Sequence, residues 1–285
     1  MSLIDEITDF LTDCHLLHET AETDGIRTIS VSTGNGRTRQ VFPLDVDASD
    51  IGEAVRKSSE AQKQASYLTE NNGEYPLIIM EDRWRSQGAM MQKRLLAHLE
   101  TFAQIYARNC EVRKIDKLTA AEFLKANHSY GDAACRYRYG LYLKRHTGHN
   151  AGLVDIPAGS LVAVATFSNA RKWTKGEKTI RSYEWTRYAS LPGVRLSGGM
   201  GKLLKAFIQD VKPDDIMTYS DLEWSEGGVY EQLGFTLEGQ KSPVTFRVGA
   251  DWERTPVRSE TEEGGCLYLR NFGSNKYRLK LTDYQ

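Results

Sequence analysis

The chain has 285 residues, of which 40% are hydrophobic and 26% charged, and its formal net charge at pH 7 is −1. That composition is ordinary for a globular protein, and the balanced charge gives no global reason to bind nucleic acid, although it leaves room for a local basic patch. No apolar run reaches the roughly 18 residues of a membrane span, and the N-terminus lacks the basic start and apolar core of a secretory signal. We therefore expect a cytoplasmic protein of one large or two small domains, without membrane contact.

Hydrophobic periodicity and turn signals predict alternating helices and strands over the first 108 residues. The predicted elements are a helix over 2–18, a hairpin over 27–42 that turns at Gly34-Asn35-Gly36, a helix over 50–69 capped by Asp50, a strand over 75–80, and a helix over 87–106 with Met91, Leu95, Leu99 and Phe102 on one face. This segment contains no motif that assigns a function to it. We expect a small N-terminal α/β domain of unknown role over 1–108.

Two carboxylates follow the strand at 75–80 directly and have two interpretations. Glu81 and Asp82, with Lys93-Arg94 on the next helix, have the residue types of a two-metal nuclease core. Adjacent strand residues point to opposite faces, however, and the lysine lies on a helix, so a structural role is favoured.

A second run of alternating elements begins near Cys110. The predicted strands cover 111–116, 137–143, 161–168, 180–190, 215–220, 236–248 and 266–281, the predicted helices cover 119–127, 201–211 and 229–233, and 251–265 is a polar loop. Thr119 and Glu122 have the spacing of a capping box at the first helix. Strands that alternate with helices predict a layered α/β domain over 109–285, with its boundary near Arg108.

The most informative stretch runs from Ser190 to Leu204, between a predicted strand and a predicted helix. It contains Gly198, Gly199 and Gly201, and residues without Cβ atoms let the backbone approach a ligand closely. Free N–H groups and the dipole at a helix start form a site for anions such as a pyrophosphate. A tight structural turn explains the same glycines, and the Rossmann and Walker spacings are both absent.

Two motifs in register resemble those of the GNAT acyltransferases, and the resemblance covers roughly 110–248. The stretch from Pro192 to Lys202 resembles the central motif, with Pro192 three residues before Arg195 and a glycine loop one residue longer than usual. The stretch 229–235, which contains Tyr-x-x-Leu-Gly-Phe, resembles the closing signature. The family's asparagine before this helix is absent, and Trp224 and Ser225 occupy that region. The resemblance implies a GNAT-like mixed central sheet flanked by helices, and acetyl-CoA or another acyl-CoA as cofactor.

The resemblance also implies roles for individual residues. In the family, a tyrosine in the place of Tyr230 often lies near the thioester sulfur and can protonate the departing thiolate. A carboxylate on the strand before the loop, here Glu184, often serves as base, directly or through water. The end of the first helix lines the substrate cleft, so His128 is a further catalytic candidate, as base or as substrate contact. The implied cofactor contacts are Ala189, Ser190, Leu191, Arg195, Ser197, Gly198, Gly199, Met200, Gly201 and Lys202. Asp221 and Glu223 follow the next strand, where α/β sites gather, and are candidate contacts for a cationic substrate.

Each of these residues also has a structural interpretation. Tyr230 is equally consistent with a core tyrosine, Glu184 with an ion pair to Arg187 or Arg171, and His128 with a helix end at which the ring satisfies carbonyl groups. Asp221 and Glu223 are consistent with a solvated loop.

The cysteines and histidines give no metal motif. Four scattered cysteines without a C-x-x-C pair indicate neither a zinc ribbon nor a disulfide framework: Cys14, Cys110, Cys135 and Cys266. His146 and His149 are too close for a helical i, i+4 pair and have no obvious fourth ligand, so we predict no metal site.

Three functional hypotheses remain. The sequence favours an N-acetyltransferase that moves an acetyl group from acetyl-CoA to an amine of a small molecule or protein. A nucleic-acid-associated protein of mobile-element or DNA-modification type is the second, because the chain also weakly resembles uncharacterised bacterial and phage proteins of mobile elements. The basic and aromatic residues that would contact nucleic acid are Arg136, Tyr137, Arg138, Tyr139, Lys144, Arg145, Arg171, Lys172 and Trp173. A catalytically inactive GNAT-like binding module is the third.

Overall fold

The structure is a computed structural model that describes residues 1–23, 26–146, 155–258 and 265–284. The α-helices in this part of the chain are α1 (Leu3–Asp13), α2 (Ile51–Asn72), α3 (Glu81–Ser86), α4 (Gly88–His98), α5 (Lys117–Asn127), α6 (Gly199–Val211) and α7 (Gly228–Gln232). The strands are β1 (His18–Thr23), β2 (Ile26–Ser32), β3 (Thr38–Leu44), β4 (Leu77–Met80), β5 (Ala103–Tyr106), β6 (Cys110–Lys114), β7 (Tyr137–Leu143), β8 (Leu161–Phe167), β9 (Arg171–Lys175), β10 (Lys178–Ser190), β11 (Val194–Ser197), β12 (Asp215–Asp221), β13 (Thr236–Lys241), β14 (Thr245–Val248), β15 (Arg254–Pro256), β16 (Leu267–Arg270) and β17 (Ser274–Lys280). The predicted mixed α/β class is confirmed.

The chain forms two compact units, and neither is continuous in sequence. The first unit contains Met1–Glu100, Ser220–Gly227 and Gln240–Asn275, and the second contains Thr101–Tyr219, Gly228–Gly239 and Lys276–Gln285. The predicted boundary near residue 108 lies eight residues beyond the first crossing of the chain from unit to unit. The two later segments of the first unit were not anticipated, because the hydrophobic pattern of a segment does not show which distant strand it packs against.

The first unit is built around the sheet β1-β2-β3-β4. The predicted hairpin is confirmed, since β2 and β3 pair antiparallel from Ile29↔Val41 to Ser32↔Thr38. Helices α1 and α4 cover one face of the sheet, and α2 with β14 and β16 covers the other. Helix α2 begins where the sequence predicts, because the Asp50 carboxylate accepts a hydrogen bond from the N–H of Glu53 at 2.7 Å.

The predicted helix over 87–106 is wrong in its second half. Helix α4 ends at His98, and Glu100 has a φ of 63°, in the left-handed region that stops a helix. Residues 103–106 then form β5, which pairs in parallel with β11. Phe102 therefore does not share a helical face with Met91. Hydrophobic spacing alone did not reveal this competing strand partner, which lies about 90 residues away in sequence.

The predicted start of α5 is displaced by three residues. Asp116, rather than Thr119, is the N-cap, and its carboxylate accepts hydrogen bonds from the N–H (2.9 Å) and hydroxyl (2.8 Å) of Thr119. An aspartate caps a helix as well as a threonine does, so the sequence contained two overlapping cap signals.

Three charged side chains are buried together in the first unit. The guanidinium of Arg254 bridges the Asp82 carboxylate, at 2.5 and 3.0 Å, and the Glu223 carboxylate, at 2.9 and 3.1 Å. The exposed fraction is 7% for the Arg254 side chain, 1% for Asp82 and 2% for Glu223. The Glu81 carboxylate accepts a hydrogen bond from the N–H of Val46 at 2.9 Å. Both carboxylates considered for a nuclease core therefore have structural partners.

The second unit is built around an eight-stranded mixed sheet of order β13-β17-β12-β10-β8-β7-β6, with β9 paired to β10. Helix α6 packs on one face through Leu203, Leu204 and Phe207, and α5 packs on the other through Ala120 and Leu124. Strand β10, at 13 residues, is the centre of this sheet and the longest strand described.

Strands β10 and β12 pair over only part of their length. Their parallel register runs from Ser182↔Asp215 to Glu184↔Met217, although β10 continues to Ser190 and β12 to Asp221. The pairing of β10 with β8 shifts register between Trp185 and Arg187, which indicates a bulge just where β12 departs. A bulge increases the local twist of a strand, and β10 and β12 are not paired with each other beyond Glu184 and Met217.

No helix within the described ranges is both long and apolar enough to cross a membrane.

Candidate functional site

Helix α6 begins with backbone donors that no side chain caps. Gly198 is its N-cap with a φ of 75°, which glycine adopts without strain, and it makes no side-chain cap hydrogen bond. The N–H of Lys202 closes the first turn on the carbonyl of Gly198 at 3.0 Å. The N–H groups of Gly199, Met200 and Gly201 precede it and have no acceptor within the helix. With the helix dipole, this end can bind an anion.

Gly198 and Gly199 are required in the loop for different structural reasons. A Cβ atom on Gly199 would lie 2.7 Å from the Leu196 side chain and 3.1 Å from the Tyr188 hydroxyl, so Gly199 allows close packing within the unit. A Cβ on Gly198 would meet only the Ala107 side chain at 3.7 Å, so this position requires glycine for its φ rather than for space. A bulky residue at Gly199 would therefore disturb the fold itself, and Gly198 is the better position for testing the loop.

The loop before α6 is held as a strand. Its residues pair in parallel with β5, from Val194↔Ala103 to Ser197↔Tyr106, and the Gln104 amide donates to the Ser197 hydroxyl at 2.5 Å. This pairing was not predicted, and the only signal for it is the short β-prone run at 103–106. It fixes the path of the chain into the α6 start.

The two cations of the loop have intramolecular partners. The ammonium of Lys202 donates to the carbonyls of Ala107 at 2.9 Å and Cys110 at 2.6 Å. The guanidinium of exposed Arg195 lies 5.4 Å from the centre of the Phe102 ring. The Lys202 charge is therefore directed at carbonyl groups, and the anion-binding capacity of the loop rests on its N–H groups. The N–H of Leu191 is also engaged, because it donates to the carbonyl of Val162 at 2.9 Å.

Tyr230 lies on α7 beside the point where β10 and β12 part. Its ring packs against the rings of Trp185, Phe235 and Tyr277, at centroid distances of 6.2, 5.8 and 5.5 Å. The Thr218 hydroxyl donates to the carbonyl of Trp185 at 3.1 Å, just beyond the last pair of the two strands. Burial raises the pKa of Tyr230. The phenol is therefore protonated at neutral pH and can donate a proton.

Glu184 is half-buried at the last β10–β12 pair, and its backbone is tightly fixed. Its N–H donates to the Ser168 hydroxyl, and its carbonyl accepts from the N–H of Ser168, both at 2.9 Å. Arg187, the expected ion-pair partner, donates instead to the carbonyls of Gly131 at 3.2 Å and Thr186 at 2.8 Å. Burial lowers the pKa of Arg187, and the nearby charge of Glu184 opposes that effect.

His128 lies at the C-cap of α5, and its ring has a local partner. Its Nδ1 accepts a hydrogen bond from the N–H of Tyr130 at 3.1 Å, which fixes the ring orientation. Arg187 lies 5.9 Å from the centre of the Tyr130 ring and bonds to Gly131. The segment after α5 and the bulged part of β10 therefore lie side by side.

Asp221 is the last residue of β12 and Glu223 follows the strand, and the two carboxylates are placed differently from the prediction. Glu223 is buried and bound to Arg254, so it is not available to a cationic substrate. The Asp221 carboxylate accepts a hydrogen bond from the N–H of Glu223 at 3.0 Å. Neither the pairing nor the burial could be inferred from residue spacing.

The described part of the chain contains no group of three or more histidine, cysteine, aspartate or glutamate side chains that could hold a metal ion, and His149 lies outside that part. All four cysteines are free thiols, with Cys110 buried.

Comparison with known proteins gives distant structural relatives only. No family model and no curated protein matches the sequence. A GNAT-family acetyltransferase from Bacillus anthracis matches with a TM-score of 0.32 and 14% identity, over 60% of this chain and 95% of the other. A tyrosine-to-phenylalanine mutant of the toxin AtaT, bound to the C-terminus of the antitoxin AtaR and acetyl-CoA, matches with a TM-score of 0.29 and 12% identity, over 57% and 93%. Because both similarities are so low, the assignment below rests on the geometry of the chain itself.

Proposed function

We propose that this protein is an acyl-CoA-dependent N-acyltransferase that moves an acetyl group from acetyl-CoA to an amine. The proposal rests on the combination of two features in the second unit: the start of α6 is rich in glycine and has no side-chain cap, and Tyr230 lies where the pairing of the parallel strands β10 and β12 ends. Each feature alone has a structural explanation. Their order in the chain also follows the two motifs that resemble the GNAT acyltransferases.

The residues present fit such a cofactor at two places. The N–H groups of Gly199, Met200 and Gly201 suit a diphosphate, because they are unpaired within the helix and lie at its positive end. Where β12 leaves β10, the edge of β10 after Glu184 no longer has the backbone partner that it has over 182–184. Such an edge can bind an extended, amide-containing chain by backbone hydrogen bonds. When bound, acetyl-CoA would supply the activated acetyl group.

Two side chains are assigned to proton transfer. The Glu184 carboxylate would accept a proton from the ammonium form of the acceptor, because only the neutral amine is nucleophilic. Tyr230 Oη would donate a proton to the departing thiolate, and its raised pKa keeps it protonated for this step. We assign His128 to the acceptor side, where its ring would contact the substrate.

Acetyl-CoA is expected to raise the melting temperature in a concentration-dependent way, and a negative charge at Gly198 should reduce the effect. A ligand at 100 times its Kd stabilises the folded state by about 2.7 kcal/mol. The variants Gly198→Asp and Gly198→Asn share the strain of a positive φ, but only the aspartate places a negative charge at the α6 start. We expect Gly198→Asp to bind acetyl-CoA at least about tenfold more weakly than Gly198→Asn, by calorimetry.

Equal affinities of these two variants would show that no anion binds at the α6 start. Absence of any acetyl-CoA effect on the wild-type melting temperature would contradict the proposed function as a whole.

Tyr230→Phe is expected to lower turnover by about 10²-fold, the lower end of the range for proton transfer. The acetyl-CoA Kd should change less than about twofold, because the phenylalanine ring preserves the packing against Trp185 and Tyr277. Steady-state kinetics with a panel of amines would measure the first quantity and calorimetry the second. Tyr106→Phe, at an exposed tyrosine, is the matched control. An unchanged rate in Tyr230→Phe would assign Tyr230 to the core alone.

A further inference from the structure

The N-terminal part of β10 and all of β9 form a two-stranded ribbon at the end of the central sheet. Their antiparallel register runs from Lys178↔Lys175 to Ser182↔Arg171. The pairing of β10 with β8 begins only at Trp185, and its pairing with β12 only at Ser182. We call residues 171–181 the basic ribbon.

The basic ribbon concentrates positive charge in a chain that is otherwise balanced. The segment contains one carboxylate, Glu177, and five cations. The cations are Arg171, Lys172, Lys175, Lys178 and Arg181. Asp214 partly offsets Arg181, at 3.5 Å from its Nε, and the Lys178 ammonium donates to the carbonyl of Asp283 at 3.3 Å. Other cations of this unit, such as Lys114 and Arg278, form side-chain ion pairs with carboxylates. The ribbon therefore has a net positive charge that nearby side chains do not cancel.

The register of the ribbon places like charges opposite each other. Lys175 faces Lys178 on one side, and Lys172 faces Arg181 on the other. Directly opposite like charges destabilise an antiparallel pair, so these two pairs are unfavourable in the isolated protein. A polyanion bound on the side of Lys172 and Arg181 would remove the cost of that pair.

One face of the ribbon is covered, and the other is open. Trp173 packs edge-to-face on Tyr284, with the ring centres 5.5 Å apart, so the face with Trp173 lies against the C-terminal residues. The opposite face carries Lys172, Thr174 and Thr179, which are exposed, and the half-buried Arg181. Two cations and two hydroxyl groups thus share an open surface, and these are the groups that commonly bind phosphate oxygens.

We propose that the basic ribbon binds the phosphate backbone of double-stranded DNA. A two-stranded β-ribbon fits the major groove of B-form DNA, which is about 12 Å wide, whereas the major groove of duplex RNA is too narrow. Lysine is depleted at protein–protein interfaces, so a lysine-rich surface favours nucleic acid over a protein partner. The binding is independent of the proposed acyl transfer and would bring the enzyme to acceptors on or near DNA.

The test is the salt dependence of binding to a short fluorescein-labelled DNA duplex, followed by anisotropy between about 50 and 200 mM salt. The double variant Lys172→Gln, Arg181→Gln removes both cations of the open face and should bind at least about tenfold more weakly at low salt. The slope of log K against log salt should flatten by about 1.8, at 0.9 per phosphate contact. The control, Lys63→Gln, Lys93→Gln, changes net charge equally at two exposed lysines elsewhere.

Three results would overturn the proposal. They are an absence of duplex binding by the wild type at low salt, an equal loss in the control variant, and equally tight, ribbon-dependent binding of poly-glutamate, which would assign the surface to an acidic protein. Circular dichroism and the acetyl-CoA melting shift should be unchanged in both double variants. The DNA-binding test can therefore fail without contradicting the proposed acyl transfer, and the reverse also holds.

Discussion

Replacing Arg254 with methionine is expected to lower the free energy of unfolding by about 3 to 5 kcal/mol, the usual cost of breaking a buried ion pair. Methionine keeps much of the apolar stem but removes the guanidinium that binds Asp82 and Glu223. Both carboxylates are almost completely buried, so they would be left without a counter-charge. Urea denaturation followed by far-UV circular dichroism would measure the loss.

The matched control is the same substitution at an exposed ion pair. Arg27 lies 3.1 Å from Asp45, and both side chains are 41% exposed, so Arg27→Met should cost less than about 1 kcal/mol. Burial already raises the pKa of Glu223, and Arg254 opposes this rise. Without Arg254, the folded state favours the protonated carboxyl group more strongly, so the deficit should grow as pH increases from about 4 to 7. Equal losses in the two variants would show that the buried network contributes no more than a surface pair.

Replacing Glu184 with glutamine is expected to lower kcat/KM for an amine acceptor by about 10³-fold at neutral pH, within the range of general base catalysis. Glutamine has nearly the same shape but cannot accept the ammonium proton. The backbone bonds of residue 184 to Ser168 do not involve the side chain, so the strand should keep its place. The acetyl-CoA Kd should change less than about twofold.

A pH profile separates catalysis from structural damage in this variant. As pH approaches the pKa of the free amine, more acceptor is already neutral, so the rate of Glu184→Gln should recover towards wild type. A variant with a damaged site would remain slow at every pH. Glu122→Gln, at an exposed position on α5, is the control and should match wild type throughout. A wild-type rate in Glu184→Gln at pH 7 would remove this residue from the reaction.

Local signals predicted the parts of the fold that depend on local chemistry. The turn at Gly34-Asn35-Gly36 and the Asp50 cap were found because a few neighbouring residues determine them. The predictions from the sequence were wrong where the conformation of a segment depends on a strand that is distant in sequence. Residues 103–106 have helical spacing, but the partner strand at 194–197 and the left-handed backbone of Glu100 place them in a sheet.

The sequence predicted which segments form the candidate site, but not the hydrogen-bond partners of its side chains. The glycine-rich helix start and Tyr230 could be found because their spacing is a local pattern. The partners of Lys202 and Glu223 could not, since the carbonyl groups of Ala107 and Cys110 and the guanidinium of Arg254 are brought there by the fold. Of the basic ribbon, only Arg171, Lys172 and Trp173 were singled out from the sequence, and β9 was not predicted because it has too few apolar residues to show an alternating pattern.

The interleaving of the two units has a consequence for biosynthesis. The chain passes from unit to unit five times, and Asp82 precedes Arg254 by 172 residues. At ribosomal rates of about 5 to 20 residues per second, Arg254 is synthesised roughly 10 to 30 s after Asp82. The first unit therefore completes its charged interior only when nearly all of the polypeptide has been synthesised, and fragments made by ending translation at residue 108 would lack it.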